Sequence, residues 1–181
     1  NEIGFPELLR RIGEIGRESD RRFWVYFTSP HPRDMTDEVI DVIRDYDVLA
    51  RQIHLPIQSG DDKVLIRMNR NYHVSQYRSI VEKIRSTIPE TTLFTDIIVG
   101  FTGETDEQFE ATREAMREFS YNMAYIAMYS PRPGAASSRW DDDVPHEEKR
   151  RRLHELSAEL QSTSLAYNQA LVGSRLSLLV E

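Results

Sequence analysis

Four short runs of β-branched and aromatic residues, at 23–27, 52–58, 92–101 and 123–129, alternate with segments whose apolar residues recur at helical spacing. This alternation constrains the fold more tightly than any single motif. Antiparallel neighbours can be joined by a tight turn, whereas parallel neighbours need a crossover of a dozen or more residues that packs a helix back onto the sheet. The chain therefore reads as α/β with a parallel sheet.

The individual segments agree with that reading. Phe5, Leu8, Leu9, Ile12 and Ile15 form a helical stripe, and the charged stretch at 17–22 ends it. The run at 23–27 then reads as a buried strand, closed by a loop in which Pro30 and Pro32 forbid regular pairing. Thr36 is placed to cap a helix whose first turn carries Asp37 and Glu38 and whose apolar stripe is Val39, Ile40, Ile43 and Tyr46. After the strand at 52–58 come a short helix at 62–68 and a longer one at 75–88. Thr105 and Gln108 have capping-box spacing ahead of Phe109, Thr112, Met116 and Phe119. A final long helix opens at Pro145, runs through Leu153, Leu156, Leu160, Tyr167 and Leu171, and closes at Gly173.

Composition narrows the chemistry. With 39% hydrophobic and 29% charged residues in 181, the chain has the material for a core and the character of a cytoplasmic globular domain. No window reaches the roughly 18 consecutive apolar residues of a membrane span. There is no cysteine, so thiolate nucleophiles and cysteine-held metals or clusters are excluded within these residues. A net charge of −7 argues against a broad basic surface for nucleic acid.

Alternation along the strands sorts the candidate site residues. His54, Pro56 and Gln58 fall on one side of the second run and Ile53, Leu55 and Ile57 on the other; in the third run Phe94, Asp96 and Ile98 oppose Leu93, Ile97 and Val99. A carboxylate inside an apolar strand needs a partner, so Asp96 reads either as half of an internal ion pair or as a ligand contact. His54 reads as an interior histidine satisfied by the fold. The loop at 100–104, between a strand and a capped helix, is placed to offer N–H groups to an anion, or is a tight turn. Tyr125, Ala127 and Tyr129 read as core filling, and Arg150, Arg151 and Arg152 as a solvated face.

In order along the chain, HLPIQSG at 54–60, Met68-Asn69-Arg70, TDIIVGFTGE at 95–104 and YSPRPG at 129–134, with TSPHPRD at 28–34, strongly resemble the radical S-adenosylmethionine (SAM) methylthiotransferases. The wording of the first and last motifs is most similar to members that act on isopentenyladenosine beside the anticodon of tRNA. Thr102 and Ala135 depart from the usual proline and threonine.

The resemblance implies a partial parallel (β/α) TIM-like barrel. Its third to sixth units would lie in residues 1–172, and residues 173–181 would begin an RNA-binding β-barrel (TRAM-type) domain. It implies SAM as cofactor, held by Gln58, Arg70 and Asp96. It also implies two [4Fe-4S] clusters with ligands outside these residues, a tRNA substrate and an external electron donor. On the same grounds, the chain alone is expected to be inactive and to self-associate through open sheet edges. Sister enzymes acting on threonylcarbamoyladenosine in tRNA or on a ribosomal-protein aspartate share the barrel. A non-catalytic scaffold is the alternative of another class.

Overall fold

The computed structural model describes residues 3–176. Three strands, β1 (Gln52–His54), β2 (Thr92–Val99) and β3 (Met123–Met128), form one sheet in the order β1-β2-β3, and every pairing is parallel. The helices are α1 (Phe5–Glu18), α2 (Asp37–Asp45), α3 (Asp62–Arg67), α4 (Val74–Thr87), α5 (Asp106–Phe119) and α6 (His146–Ala170). Alternating strands and helices on an open parallel sheet are the layout of a partial (β/α) barrel.

The expected buried strand at 23–27 is not formed. A single bridge joins Val25 to Leu49, made by Val25 N–H to Val48 O at 2.7 Å and Ala50 N–H to Val25 O at 2.9 Å. Trp24 and Tyr26 stay exposed. The neighbouring β1 is only three residues long, so there is little ladder to join. The aromatic and branched composition at 23–27 suits a pleated surface, but pairing depends on the partner.

β1 also stops short of the expected 52–58, at a bulge opposite Thr95. His54 pairs with Phe94, but the next bridge joins Gln58 to Ile97, so four residues on one strand span three on the other. The Thr95 side chain fills the break. Its hydroxyl accepts from Ile57 N–H at 2.9 Å and donates to Leu55 O at 3.0 Å. Regular pairing then resumes with Gln58 N–H to Asp96 O and Ile98 N–H to Gln58 O.

The helices cover one face of the sheet. In β2, Leu93, Thr95, Ile97 and Val99 are buried and the alternate residues are not, as the alternation predicts for an element half in and half out of a core. Tyr77 and Tyr121 lie at the centre of that core with Phe119; Tyr121 donates to Tyr77, which donates to Leu55 O at 2.8 Å. Burial pushes both phenols well up from their usual pKa.

The helix starts follow the sequence. Thr36 caps α2, Asp61 caps α3, and Thr105 and Gln108 make a reciprocal capping box on α5. Gly60 lets the loop before α3 press on α5: a Cβ there would sit 2.5 Å from Ala111 O. Of the expected terminal strand, residues 177–181 lie outside the described residues.

Candidate functional site

The sheet face away from the helices carries a row of side chains from three strands. His54 on β1, Asp96 on β2 and Tyr125 on β3 follow one another across it, since Asp96 and Tyr125 are direct register partners. His54 Nε2 lies 2.9 Å from Asp96 Oδ1, and the Tyr125 ring leans on the imidazole with centroids 5.9 Å apart. Ser29, in the loop after Val25, places its Oγ 3.3 Å from His54 Nδ1. Of the two readings the sequence left for Asp96, an internal partner is therefore present, and it is the histidine expected to be satisfied by the fold. Asp96 is nevertheless not sealed in: its side chain keeps 31% exposure, against 12% for His54. Among the described residues only Oδ1 is engaged.

Gln58 is buried, with backbone φ of +69°. Ser29 is also left-handed, at φ +55°, directly before Pro30, where a following proline disfavours most conformations. Non-glycine residues in this region carry strain that the surrounding structure must hold. Of the four such residues among those described, Ser29 and Gln58 belong to this site. A third, Asn69, precedes Arg70 and ends the turn after α3, a common place for asparagine.

Arg70 is held near the same region by Tyr72. The buried Tyr72 hydroxyl donates to Ile57 O at 2.8 Å and lies 3.2 Å from Pro56 O, tying the 70–72 segment to the break in β1. Burial pushes the Tyr72 phenol up to about 12. His31 stacks edge-on against Tyr72 at 5.3 Å; burial, then the charges of Arg33 and Arg70, lower its pKa. The Arg70 guanidinium makes no ion pair among the described residues. The structure thus brings Gln58 and Asp96 together through the Gln58 N–H to Asp96 O bond at 2.8 Å and sets Arg70 on the adjoining loop.

Two expectations are corrected. Tyr125 does not fill the core: it is 55% exposed, while Tyr129 packs on Phe101 with centroids 4.7 Å apart. The arginine triplet is not one solvated face, because Arg152 is buried. It donates to Glu104 Oε2 at 2.8 Å, Asp106 at 2.8 Å and Glu148 at 2.6 Å. In the 100–104 loop three N–H groups bond the chain itself, Gly100 to Glu104 Oε2 at 2.5 Å, Gly103 to Asp143 at 2.7 Å and Glu104 to Phe101 O at 2.8 Å, the last closing a turn. The tight-turn reading of that loop holds.

Sequence reasoning missed the role of Ser29 and the pairing of His54 with Asp96. The second was within reach, because both residues fall on the inward positions of adjacent strands. A separate cavity of about 510 Å³ lies between the start of α1 and the 27–36 loop, lined by Phe5, Phe27, Pro30 and Arg33.

The family profile described as the Radical SAM superfamily matches residues 3–116, more than half of the chain. The chain belongs to the radical SAM superfamily. Its relatives include the tRNA-2-methylthio-N(6)-dimethylallyladenosine synthases of Neisseria meningitidis serogroup B (strain ATCC BAA-335 / MC58), 42% identical over 98% of this chain, and of Clostridium botulinum (strain Alaska E43 / Type E3), 42% identical over 99%. The chain spans 39% of the length of each. Among solved structures, the radical SAM enzyme coproporphyrinogen III oxidase (HemN) from Escherichia coli superimposes with a TM-score of 0.70 at 21% identity, over 87% of this chain and 37% of that one. The radical SAM methyltransferase TsrM from Kitasatospora setae, solved with cobalamin and a [4Fe-4S] cluster bound, gives 0.54 at 17% identity, over 68% and 24%. These likenesses establish the fold as the radical SAM partial barrel. The superfamily uses SAM with a [4Fe-4S] cluster.

Proposed function

We propose that this chain forms the SAM-facing wall of a cytoplasmic tRNA methylthiotransferase, one that adds a methylthio group to isopentenyladenosine next to the anticodon. The observation that supports it most is the partly open Asp96 carboxylate, on a residue whose backbone carbonyl accepts from Gln58 N–H and which lies near the Arg70 loop. It stands in a chain 42% identical, over nearly its whole length, to synthases named for that modification. Residues 1–172 are assigned to the barrel, and the residues from 173 onward to the start of an RNA-binding domain.

The residues suit SAM. The Arg70 guanidinium, with no acidic partner among the described residues, can pair with the amino acid carboxylate. Asp96 can accept from a ribose hydroxyl or from the ammonium group, and Gln58 can both donate and accept. Gln58 and Arg70 lie beyond the C-terminal end of β1, where barrel enzymes assemble their sites, and Asp96 lies beside Gln58 within β2. When bound, SAM supplies the radical chemistry that removes hydrogen from the substrate adenosine. A [4Fe-4S] cluster does not fit these residues, since none is a cysteine, and its ligands are assigned to other parts of the protein, as is the contact with an electron donor. The chain alone is then inactive, and its exposed sheet edge favours self-association.

The test is mass spectrometry of tRNA nucleosides from cells with the gene deleted. Loss of methylthio-isopentenyladenosine with accumulation of isopentenyladenosine is expected; persistence of the methylthio nucleoside overturns the proposal.

A further inference from the structure

We propose that His54 is a positioning residue for SAM: with Ser29 it fixes the rotamer of Asp96, so that one carboxylate oxygen is held and the other is presented to the ligand. The inference rests on the assignment of Asp96 to SAM.

The hydrogen bonds leave one consistent arrangement for a neutral imidazole. An ionised carboxylate only accepts, so the 2.9 Å contact requires the proton on Nε2 of His54. Nδ1 is then an acceptor, and the 3.3 Å contact is a hydrogen bond donated by the Ser29 hydroxyl. The chain Ser29 to His54 to Asp96 thus has a direction, from an exposed loop hydroxyl to a carboxylate on the inner face. Each element constrains the next. Ser29 reaches the ring from a left-handed backbone that a serine before proline rarely adopts. The imidazole is 12% exposed and is braced by Tyr125, the register partner of Asp96. A carboxylate free to rotate would lose orientation entropy on binding a hydroxyl or ammonium group; one held by Nε2 has already lost it.

The test is a double-mutant cycle in the full protein, read by SAM calorimetry. His54→Leu is expected to weaken SAM binding on the order of tenfold. In an Asp96→Ala background the same change should add no more than about twofold. His54→Gln, which keeps a donor, should recover most of the loss, and a retained melting transition excludes unfolding. Independent multiplication of the two losses overturns the inference. Nitrogen chemical shifts of the imidazole, read without SAM, give a second measurement. The proton should be on Nε2, and the signal should move in Ser29→Ala and Asp96→Ala. A proton on Nδ1 overturns the inference while leaving Asp96 as a SAM contact. An unchanged SAM affinity in Asp96→Ala, with the Nε2 signature intact, overturns the SAM assignment and positioning with it, leaving a structural pair.

Discussion

Two carboxylates face opposite fates within eight residues of chain. Glu104 is buried behind the sheet, its side chain fully enclosed, with Oε2 taken by Gly100 N–H and by Arg152, which also reaches its backbone carbonyl. Asp96 is on the inner face, with one oxygen on His54 and the side chain still 31% exposed. Both are acids near the end of one strand, yet one holds the fold and the other is offered to solvent. The difference lies in who supplies the cation. Helix α6 delivers Arg152 to Glu104, whereas Arg70 remains on the neighbouring loop with no acidic partner among the described residues.

The largest expected effect is on the Glu104 side. Arg152→Met removes the guanidinium that compensates a buried carboxylate, and breaking one half of such a pair costs about 3 to 5 kcal/mol. Urea denaturation should show it, with SAM affinity of the molecules still folded little changed. A loss under about 1 kcal/mol would mean that Glu104 is tolerated without its partner, and the contrast with Asp96 would collapse.

The Asp96 side predicts the reverse pattern. Arg70→Ala and Asp96→Ala should each weaken SAM binding by about ten- to a hundredfold, the equivalent of one charged hydrogen bond. Their denaturation midpoints should stay within about 1 kcal/mol of the parent, because both groups are partly solvent-facing. Equal losses of stability and affinity would show that the inner face is structural as well.

Acid should separate the regions by sign. Arg151 and then Arg152 hold Glu148 at about 2, and Arg117 and then Arg113 hold Glu159 at about 2. A lowered folded-state value means that the stability these acids contribute is complete above their unfolded value near 4.5 and is lost as pH falls toward 2. Glu104 runs the other way. Burial raises its pKa despite Arg152, so its ionisation opposes folding at neutral pH, and that opposition fades on acidification. Stability measured against pH should therefore fall mainly below about 4.5, and Glu148→Gln with Glu159→Gln should flatten the fall. A steep loss between pH 7 and 5 would place the sensitive group elsewhere.

The fold was legible where local chemistry and tertiary packing agree. The helix caps at Thr36 and Thr105, the inward and outward sides of β2 and the opening of α6 at Pro145 all follow from neighbours in sequence. The strand expected at 23–27 failed because composition says nothing about whether a partner edge is long enough to pair. The bulge at 55–57 is bridged by Thr95 from the next strand and has no local signature. For the site, alternation placed Asp96 on the inner face. It put His54 on the same face, within reach of Asp96, but could not say that Ser29 would reach them from a strained loop or that Tyr125 would stay exposed.

The arginine triplet gives the finest division between the regions, and the smallest expected effect. Composition made Arg150, Arg151 and Arg152 one charged run, but a helix turns about 100° per residue and sends adjacent side chains to different surroundings. Arg152 faces inward to Glu104. Arg150 faces out, with Glu147 3.5 Å away and both side chains more than half exposed. Such a pair is screened by water and pays side-chain entropy to form, so Arg150→Ala should change stability by no more than about 0.5 kcal/mol. Measured beside Arg152→Met in the same denaturant series, it should give a difference of severalfold between positions two residues apart. Comparable losses at both would mean that α6 responds to its total charge and that the burial of Arg152 carries no special weight.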